Sequence, residues 1–279
     1  MFAAIPSPSS NGIHLGPFEL HAYGLMYVIA IIAVILMTEH RWRAVGGDPR
    51  LVQRVALVGV PCGIIGGRIY FVFTSWNQWD HHVWYGPLAV WDGGLGVWGG
   101  IAGGAIGGIW VLRRARVDIA LFMDATAPGL LVAQGIGRIG NWFNQELFGG
   151  PTSLPWGLEI DPAHRPEKFI HDPTFQPTFL YELVWDFALA GFLIWLRDAR
   201  RIRPPGIFAL YVAGYSAFRI FEELLRVDPS HHIFGLRLNL FVAVTLMCAG
   251  LLWFLHTQRR RDVGVAPAGH DAGIRRRRT

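Results

Sequence analysis

From Leu20 to Leu255 the chain alternates long apolar stretches with short polar ones, and seven of the apolar stretches carry almost no charge. Each runs to about 20 residues, the length a helix needs to cross a hydrocarbon core roughly 30 Å thick. Lipid offers no partner to a backbone N–H or C=O, so such stretches have to satisfy themselves as helices. The expected spans are Leu20 to Met37, Val52 to Phe73, Val90 to Leu112, Ile119 to Ile139, Phe179 to Leu196, Gly206 to Leu225 and Leu236 to Leu255. A composition of 52% hydrophobic and 16% charged residues is too apolar for an ordinary soluble domain. The fold class expected is therefore an all-α polytopic membrane protein with about seven transmembrane helices.

Charge orients these spans. Arg41, Arg43, Arg50 and Arg54 follow the first span, Arg113, Arg114 and Arg116 the third, and Arg197, Arg200, Arg201 and Arg203 the fifth. Arginine accumulates in cytoplasmic loops, so the sequence predicts an outside N-terminus and a cytoplasmic C-terminus. No Lys or Arg precedes Arg41, so the start lacks the basic region of a cleaved signal peptide and its apolar run is expected to remain as a span. The tail from residue 259 to 279, with Arg259 to Arg261 and Arg275 to Arg278, reads as a disordered basic extension. These arginines sit at membrane exits, where they meet anionic headgroups, and nucleic-acid binding is not expected.

Neither cysteine nor histidine forms a metal-like pattern. Cys62 and Cys248 fall inside expected spans as isolated small hydrophobes. His81, His82, His231 and His232 form two pairs in outside loops without further ligands at metal-like spacing, so no metal or cofactor is expected.

Ionisable groups inside the spans are costly and mark functional paths. They are Arg68, Asp92, Asp124, Arg138, Glu182, Asp186, Arg219, Glu222 and Glu223. Counted along helices of the predicted orientation, Arg68, Arg138, Arg219 and Glu223 fall in the outer half, as do His21, Tyr23, Asp92, Tyr181 and Glu182. Tyr215, Arg219 and Glu223 recur every four residues and Arg226 follows at three, so all four share a helix face that should look into the bundle. The run Gly135 to Glu146 begins with small residues and turns polar as it leaves the membrane. Its glycines leave room beside Arg138, and packing alone requires neither Arg138, Asn141, Asn144 nor Glu146. The pairs Gly93-Gly94, Gly99-Gly100 and Gly103-Gly104 read instead as helix packing. Arginines with amides and carboxylates around them at the outer interface suit an anionic phospholipid headgroup, since guanidinium bonds phosphate oxygens bidentately. No nucleotide-binding glycine fingerprint occurs.

At these residues the sequence resembles the prolipoprotein diacylglyceryl transferases, from about Gly16 to the seventh span. The signature is Gly137-Arg-Ile-Gly-Asn-Trp-Phe-Asn-Gln-Glu-Leu-Phe-Gly149, supported by His21 to Tyr27, Gly66 to Tyr70, Val90 to Gly94, Pro177 to Glu182, and Tyr215 to Ile220 with Glu223. The resemblance implies a bacterial plasma (inner) membrane enzyme that moves the diacylglyceryl group of phosphatidylglycerol onto the lipobox cysteine of prolipoprotein signal peptides and releases glycerol phosphate. By that analogy Arg138 and Arg219 hold the phosphate, and Tyr23, Arg68, Asn141, Glu146, Gly149, Tyr215 and Glu223 shape the lipid pocket. Residues 1–258 would form the catalytic membrane domain, with the outside loop 141–178 as a substrate-binding or lid segment. Many members have a histidine where this chain has Trp98 and another where it has Gln176, which leaves the base open and makes His21 a candidate. The competing readings are a transporter of an anionic lipid or solute, for which Asp124 and Asp186 are the deep charges, and an inactive lipid-binding paralogue.

Overall fold

The computed structural model describes residues 4–15, 18–79 and 83–259. The His81-His82 pair and the tail beyond Arg259 lie outside them. Seven long helices carry the fold: α1 (Ala22–Ala44), α2 (Pro49–Thr74), α3 (Val97–Arg114), α4 (Ile119–Phe143), α5 (Thr178–Ala199), α6 (Gly206–Leu225) and α7 (Leu238–Arg259). Three short antiparallel pairs accompany them among the described residues: β1 (Gly12–Leu15) with β2 (Phe18–His21) before α1, β3 (Leu158–Glu159) with β4 (Thr174–Phe175) between α4 and α5, and β5 (His232–Ile233) with β6 (Leu236–Arg237) between α6 and α7. Five helices, α1, α2, α4, α5 and α7, are long and apolar enough to cross a membrane. Of the other two, α3 is rich in glycine and ends on Arg113 and Arg114, and α6 carries Arg219, Glu222 and Glu223.

Helix starts follow local chemistry. The Asp118 carboxylate accepts the Leu121 N–H at 3.1 Å and opens α4, and Asp48 accepts from the Arg50 N–H at 2.9 Å ahead of Pro49 in α2. The first helix starts at Ala22 rather than Leu20, because β1 and β2 run up to His21, which stands at its N-cap. The third starts seven residues later than expected, since Gly93 and Gly94 adopt φ of 83° and 79° and break the chain between a short 3-10 turn and α3. Gly93-Gly94 is thus a left-handed turn and not a helix-packing pair. Gly99 and Gly103 do pack: a Cβ on Gly99 would lie 2.2 Å from the Gly66 carbonyl oxygen, and one on Gly103 would lie 2.2 Å from that of Cys62. Side chains there would push α2 and α3 apart.

Three apolar clusters stack along the bundle. Trp42, Leu51, Val52, Val111, Leu112, Phe122 and Ala125 close the end where the arginine-rich loops emerge. Ala127, Leu131, Ala190, Leu193 and Ile207 join α4, α5 and α6 midway. Phe148, Leu158, Ile160, Phe175 and Phe179 fill the opposite end, under the 158–175 loop. Asp124 lies in the lower part of this stack, where its carboxylate accepts the Phe208 N–H at 2.8 Å and caps α6 from a neighbouring helix.

Candidate functional site

Between the middle and the loop-end clusters, α4, α5 and α6 each contribute a polar side chain to one layer. From the last turns of α4, Arg138 Nη2 donates to Glu182 Oε1 at 2.7 Å. Glu182 stands one turn into α5 and is fully buried. Its second oxygen, Oε2, receives Arg219 Nη1 of α6 at 3.4 Å, and Tyr215 donates to Oε1 at 3.0 Å. One sealed carboxylate therefore joins two guanidiniums from different helices, each of which keeps 16% side-chain exposure. Arg219 also bonds Glu222 and Glu223, three and four residues on, as the helix repeat requires.

The signature run builds one wall of this layer. Arg138 Nη1 donates to Asn141 Oδ1 at 3.3 Å, Asn141 Nδ2 donates to Glu146 Oε1 at 2.7 Å, and Asn144 Nδ2 reaches the same oxygen at 3.2 Å. Gln145 and Leu147 hold the left-handed backbone, φ 51° and 59°, a conformation costing about 1–3 kcal/mol each that only surrounding contacts maintain. Those contacts are visible. The buried Gln145 exchanges two hydrogen bonds with Asp161, at 2.6 and 2.8 Å, and donates to the Pro8 carbonyl at 3.2 Å. The Leu147 carbonyl accepts the Thr178 hydroxyl. The run then returns to α6: Gly149 N–H donates to the Gln176 carbonyl at 2.9 Å, and Gly150 N–H to the Leu225 carbonyl at 2.9 Å. A Cβ on Gly149 would come within 2.8 Å of Gln176 Cβ.

Tyr23 enters from α1. Its ring lies where a Cβ on Gly140 would come within 2.7 Å, and its hydroxyl is 3.1 Å from that of Tyr27. Gly140 thus lets an aromatic ring lie along the helix that carries Arg138 and Asn141. His21 is exposed two residues before it. Trp98, on the first turn of α3, is 45% exposed. Gln176 accepts from the Tyr181 hydroxyl at 3.3 Å, and Tyr181 in turn accepts from Trp156 at 3.0 Å.

One expectation for the site changes. Arg68 does not join Arg138 in one set of contacts: its guanidinium donates to the carbonyls of Gly86, Pro87, Gly93 and Gly94 at 2.6 to 3.1 Å. The left-handed turn at Gly93-Gly94 aims those oxygens at it. Asp124 is engaged as the cap of α6. In the other direction, sequence reasoning left Glu182 and Glu222 out of the site residues and passed over Gln145 and Arg237. Arg237 Nε donates to Glu223 Oε2 at 2.7 Å from the strand before α7.

What this arrangement can do is hold a phosphodiester. Two guanidiniums in a low-dielectric layer, oriented by buried carboxylates, present donors to an anion arriving at their exposed side. The family model for prolipoprotein diacylglyceryl transferase matches residues 11–256. A phosphatidylglycerol–prolipoprotein diacylglyceryl transferase of Frankia alni is 44% identical over 276 residues, covering 96% of this chain and 71% of its own length. A second, from Streptomyces coelicolor, is 44% identical over 272 residues, covering 94% and 83%. One from Cutibacterium acnes is 43% identical over 269 residues, covering 94% and 89%. The match runs through every helix that supplies the polar layer, and on that extent of likeness the chain belongs to the prolipoprotein diacylglyceryl transferase family.

Proposed function

We propose that this chain is a membrane transferase that moves the diacylglyceryl group of phosphatidylglycerol onto the lipobox cysteine of prolipoproteins, the first step of lipoprotein maturation. The observation that carries the reading is the meeting of Arg138 and Arg219 on one buried carboxylate while both stay open to a ligand. The lipid phosphate takes the exposed donors of both arginines. The cysteine sulfur loses its proton and attacks the diacylglyceryl carbon as the C–O bond to phosphate breaks, and the electron pair leaves on glycerol phosphate. Charge gathering on the phosphate oxygens is what the guanidiniums stabilise. Asn141, Glu146 and Gly149 fix the signature wall, Tyr23 and Tyr215 line it, and Glu223 orients Arg219. Arg68 supports the 86–94 turn. His21, at the mouth of α1, is the candidate proton acceptor where other members have a histidine in place of Trp98. An His21→Gln protein whose pH profile matches the wild type would clear it of that role.

In this reading all seven helices span the bacterial plasma membrane, the N-terminus faces outward and the arginine-rich loops face the cytoplasm, as their distribution favours. Residues 1–258 form the catalytic membrane domain, and the 141–178 loop covers the site as a substrate-binding segment. The test mixes purified protein, phosphatidylglycerol and a lipobox peptide, and follows the thioether-linked diacylglyceryl peptide by mass. Wild type forms it and Arg138→Ala does not, with an unchanged elution profile. Full turnover by Arg138→Ala removes the mechanism.

A further inference from the structure

Arg219 is steadied from a direction the signature run does not supply. Glu223, its partner one turn on, is buried, and each of its oxygens receives an arginine: Oε1 takes Arg219, with Arg226 at 3.6 Å, and Oε2 takes Arg237 Nε at 2.7 Å. Arg237 belongs to β6, outside α6. Its other two nitrogens are spent on Asp228, Nη1 on the backbone carbonyl at 2.8 Å and Nη2 on Oδ2 at 3.0 Å. Asp228 is held in turn by Arg226, whose Nε and Nη2 meet its two oxygens at 2.7 and 2.9 Å. Charges alternate along Arg138, Glu182, Arg219, Glu223, Arg237, Asp228 and Arg226 through shared oxygens and nitrogens.

A cavity of about 230 Å³ opens beside Arg237 between residues 228–231 and 237–239, while the Arg237 side chain itself is buried and its donors are fixed by the ion pairs. Burial alone would raise the Asp228 carboxyl, yet the hydrogen bond and charge of Arg226, then the charge of Arg237, hold it below the usual carboxylate range. With the folded value depressed, its contribution is fully present above the unfolded value of about 3.9 and is lost only as pH falls through the folded one. The pairing is intact at neutral pH.

We propose that Arg237 and Asp228 are positioning residues for the phosphate site, fixing Arg219 through Glu223 from the turn between α6 and α7, so that a residue outside the bundle sets how tightly the lipid phosphate is held. A glutamate bonded only to an arginine on its own helix can swing with it. Anchored on its second oxygen by Arg237, Glu223 gives Arg219 one address, and the energy of ordering that guanidinium is met before the lipid arrives. This rests on the reading of Arg138 and Arg219 as the phosphate donors.

The experiment compares wild type, Arg237→Gln, Arg237→Lys, Glu223→Gln and the double variant Arg237→Gln/Glu223→Gln in the peptide assay, with KM for phosphatidylglycerol and for the peptide measured separately. Arg237→Gln raises the lipid KM about tenfold, the size of a coupling within one ion-pair network, and leaves the peptide KM in place. Arg237→Lys recovers part of that loss, and the double variant is no worse than Glu223→Gln alone. Losses that multiply in the double variant, or a rise in both KM values in step with a lower melting temperature, overturn the proposal. Should Arg237→Gln fail to fold, Asp228→Asn keeps the volume and must show the same lipid-selective rise at smaller size; an unselective rise overturns the proposal as well. Failure of the underlying reading looks different, since wild type then yields no product at all. The clamp is in that case read from the melting-temperature rise on adding phosphatidylglycerol, which Arg237→Gln must reduce.

Discussion

Arg68 is buried and Arg138 half-buried on apolar helices, and the structure satisfies the two guanidiniums in opposite ways. Arg68 gives its donors to four main-chain carbonyls of the 86–94 turn, oxygens with no net charge and no freedom to leave. Arg138 gives its shortest bond to the carboxylate of Glu182, which it shares with Arg219. Carbonyl dipoles close a cation into the fold, whereas a shared carboxylate balances two cations while leaving part of each to an arriving anion. The first arrangement fixes a loop and the second suits a site. An arginine in a membrane helix is thus to be read by the charge of what receives it.

The largest effect expected from this contrast falls on turnover. Arg219→Ala lowers kcat per folded molecule by about 10²–10³-fold, the size of removing one preorganised donor from a developing charge, and it also lowers melting temperature in detergent, because the buried Glu222 and Glu223 lose their partner. Arg68→Ala spares turnover: the carbonyls it leaves cost about 1–3 kcal/mol for each that finds no other donor, so melting temperature falls while turnover per folded molecule stays near wild type. A stable Arg68→Ala protein without activity would bring Arg68 into the site and end the contrast.

Glu182 tests the other half. Glu182→Gln leaves Arg138 and Arg219 side by side with one negative charge fewer, so the variant melts earlier than wild type in detergent alone. An anion then has more to offer it, and phosphatidylglycerol should raise its melting temperature by more than it raises that of wild type, because ligand that binds only the folded state stabilises by mass action. A smaller rise in the variant would mean that Glu182 shapes the pocket instead of balancing it.

Gly140 is a quieter probe of the same layer. In Gly140→Ala the new Cβ meets the Tyr23 ring at 2.7 Å and the Tyr23 Cα at 3.4 Å, so α1 and α4 have to part. Overpacking of that kind costs about 1–3 kcal/mol, and the lipid KM should rise more than the peptide KM. Tyr23→Ala in the same chain relieves the ring clash and restores melting temperature, but not lipid binding if Tyr23 lines the pocket.

How far the sequence could be read follows from what periodicity encodes. The common face of Tyr215, Arg219 and Glu223 is a property of one helix and was open to counting, and the observed pairing of Arg219 with Glu223 matches it. Glu182 stood out as a polar residue near the start of its span, but its place between two arginines depends on how α5 is turned against α4 and α6, which no spacing within α5 records. Arg237 was hidden differently. It lies at the edge of an apolar stretch and reaches Glu223 only because β5 and β6 fold the chain back before α7. Gly93-Gly94 is a glycine pair like those of α3 but stands six residues before Gly99-Gly100 instead of four, and its positive φ makes it a turn where theirs is helix.

The smallest expected effect lies at the far end of the bundle, where a carboxylate in a span serves the fold alone. Asp124 accepts the Phe208 N–H, one of the donors that α6 leaves open at its start, from across a helix interface. Asp124→Ala removes that acceptor and should lower stability by about 1 kcal/mol, as loss of a cap does, while Asp124→Asn keeps an oxygen in place and loses less. Neither change reaches the arginine layer, because the buried Ala127, Leu131, Leu193 and Ile207 lie between, so both KM values should hold. A transport path along the bundle would need Asp124 as a stepping charge; loss of function in Asp124→Asn at unchanged stability would favour that path over the transferase site described above.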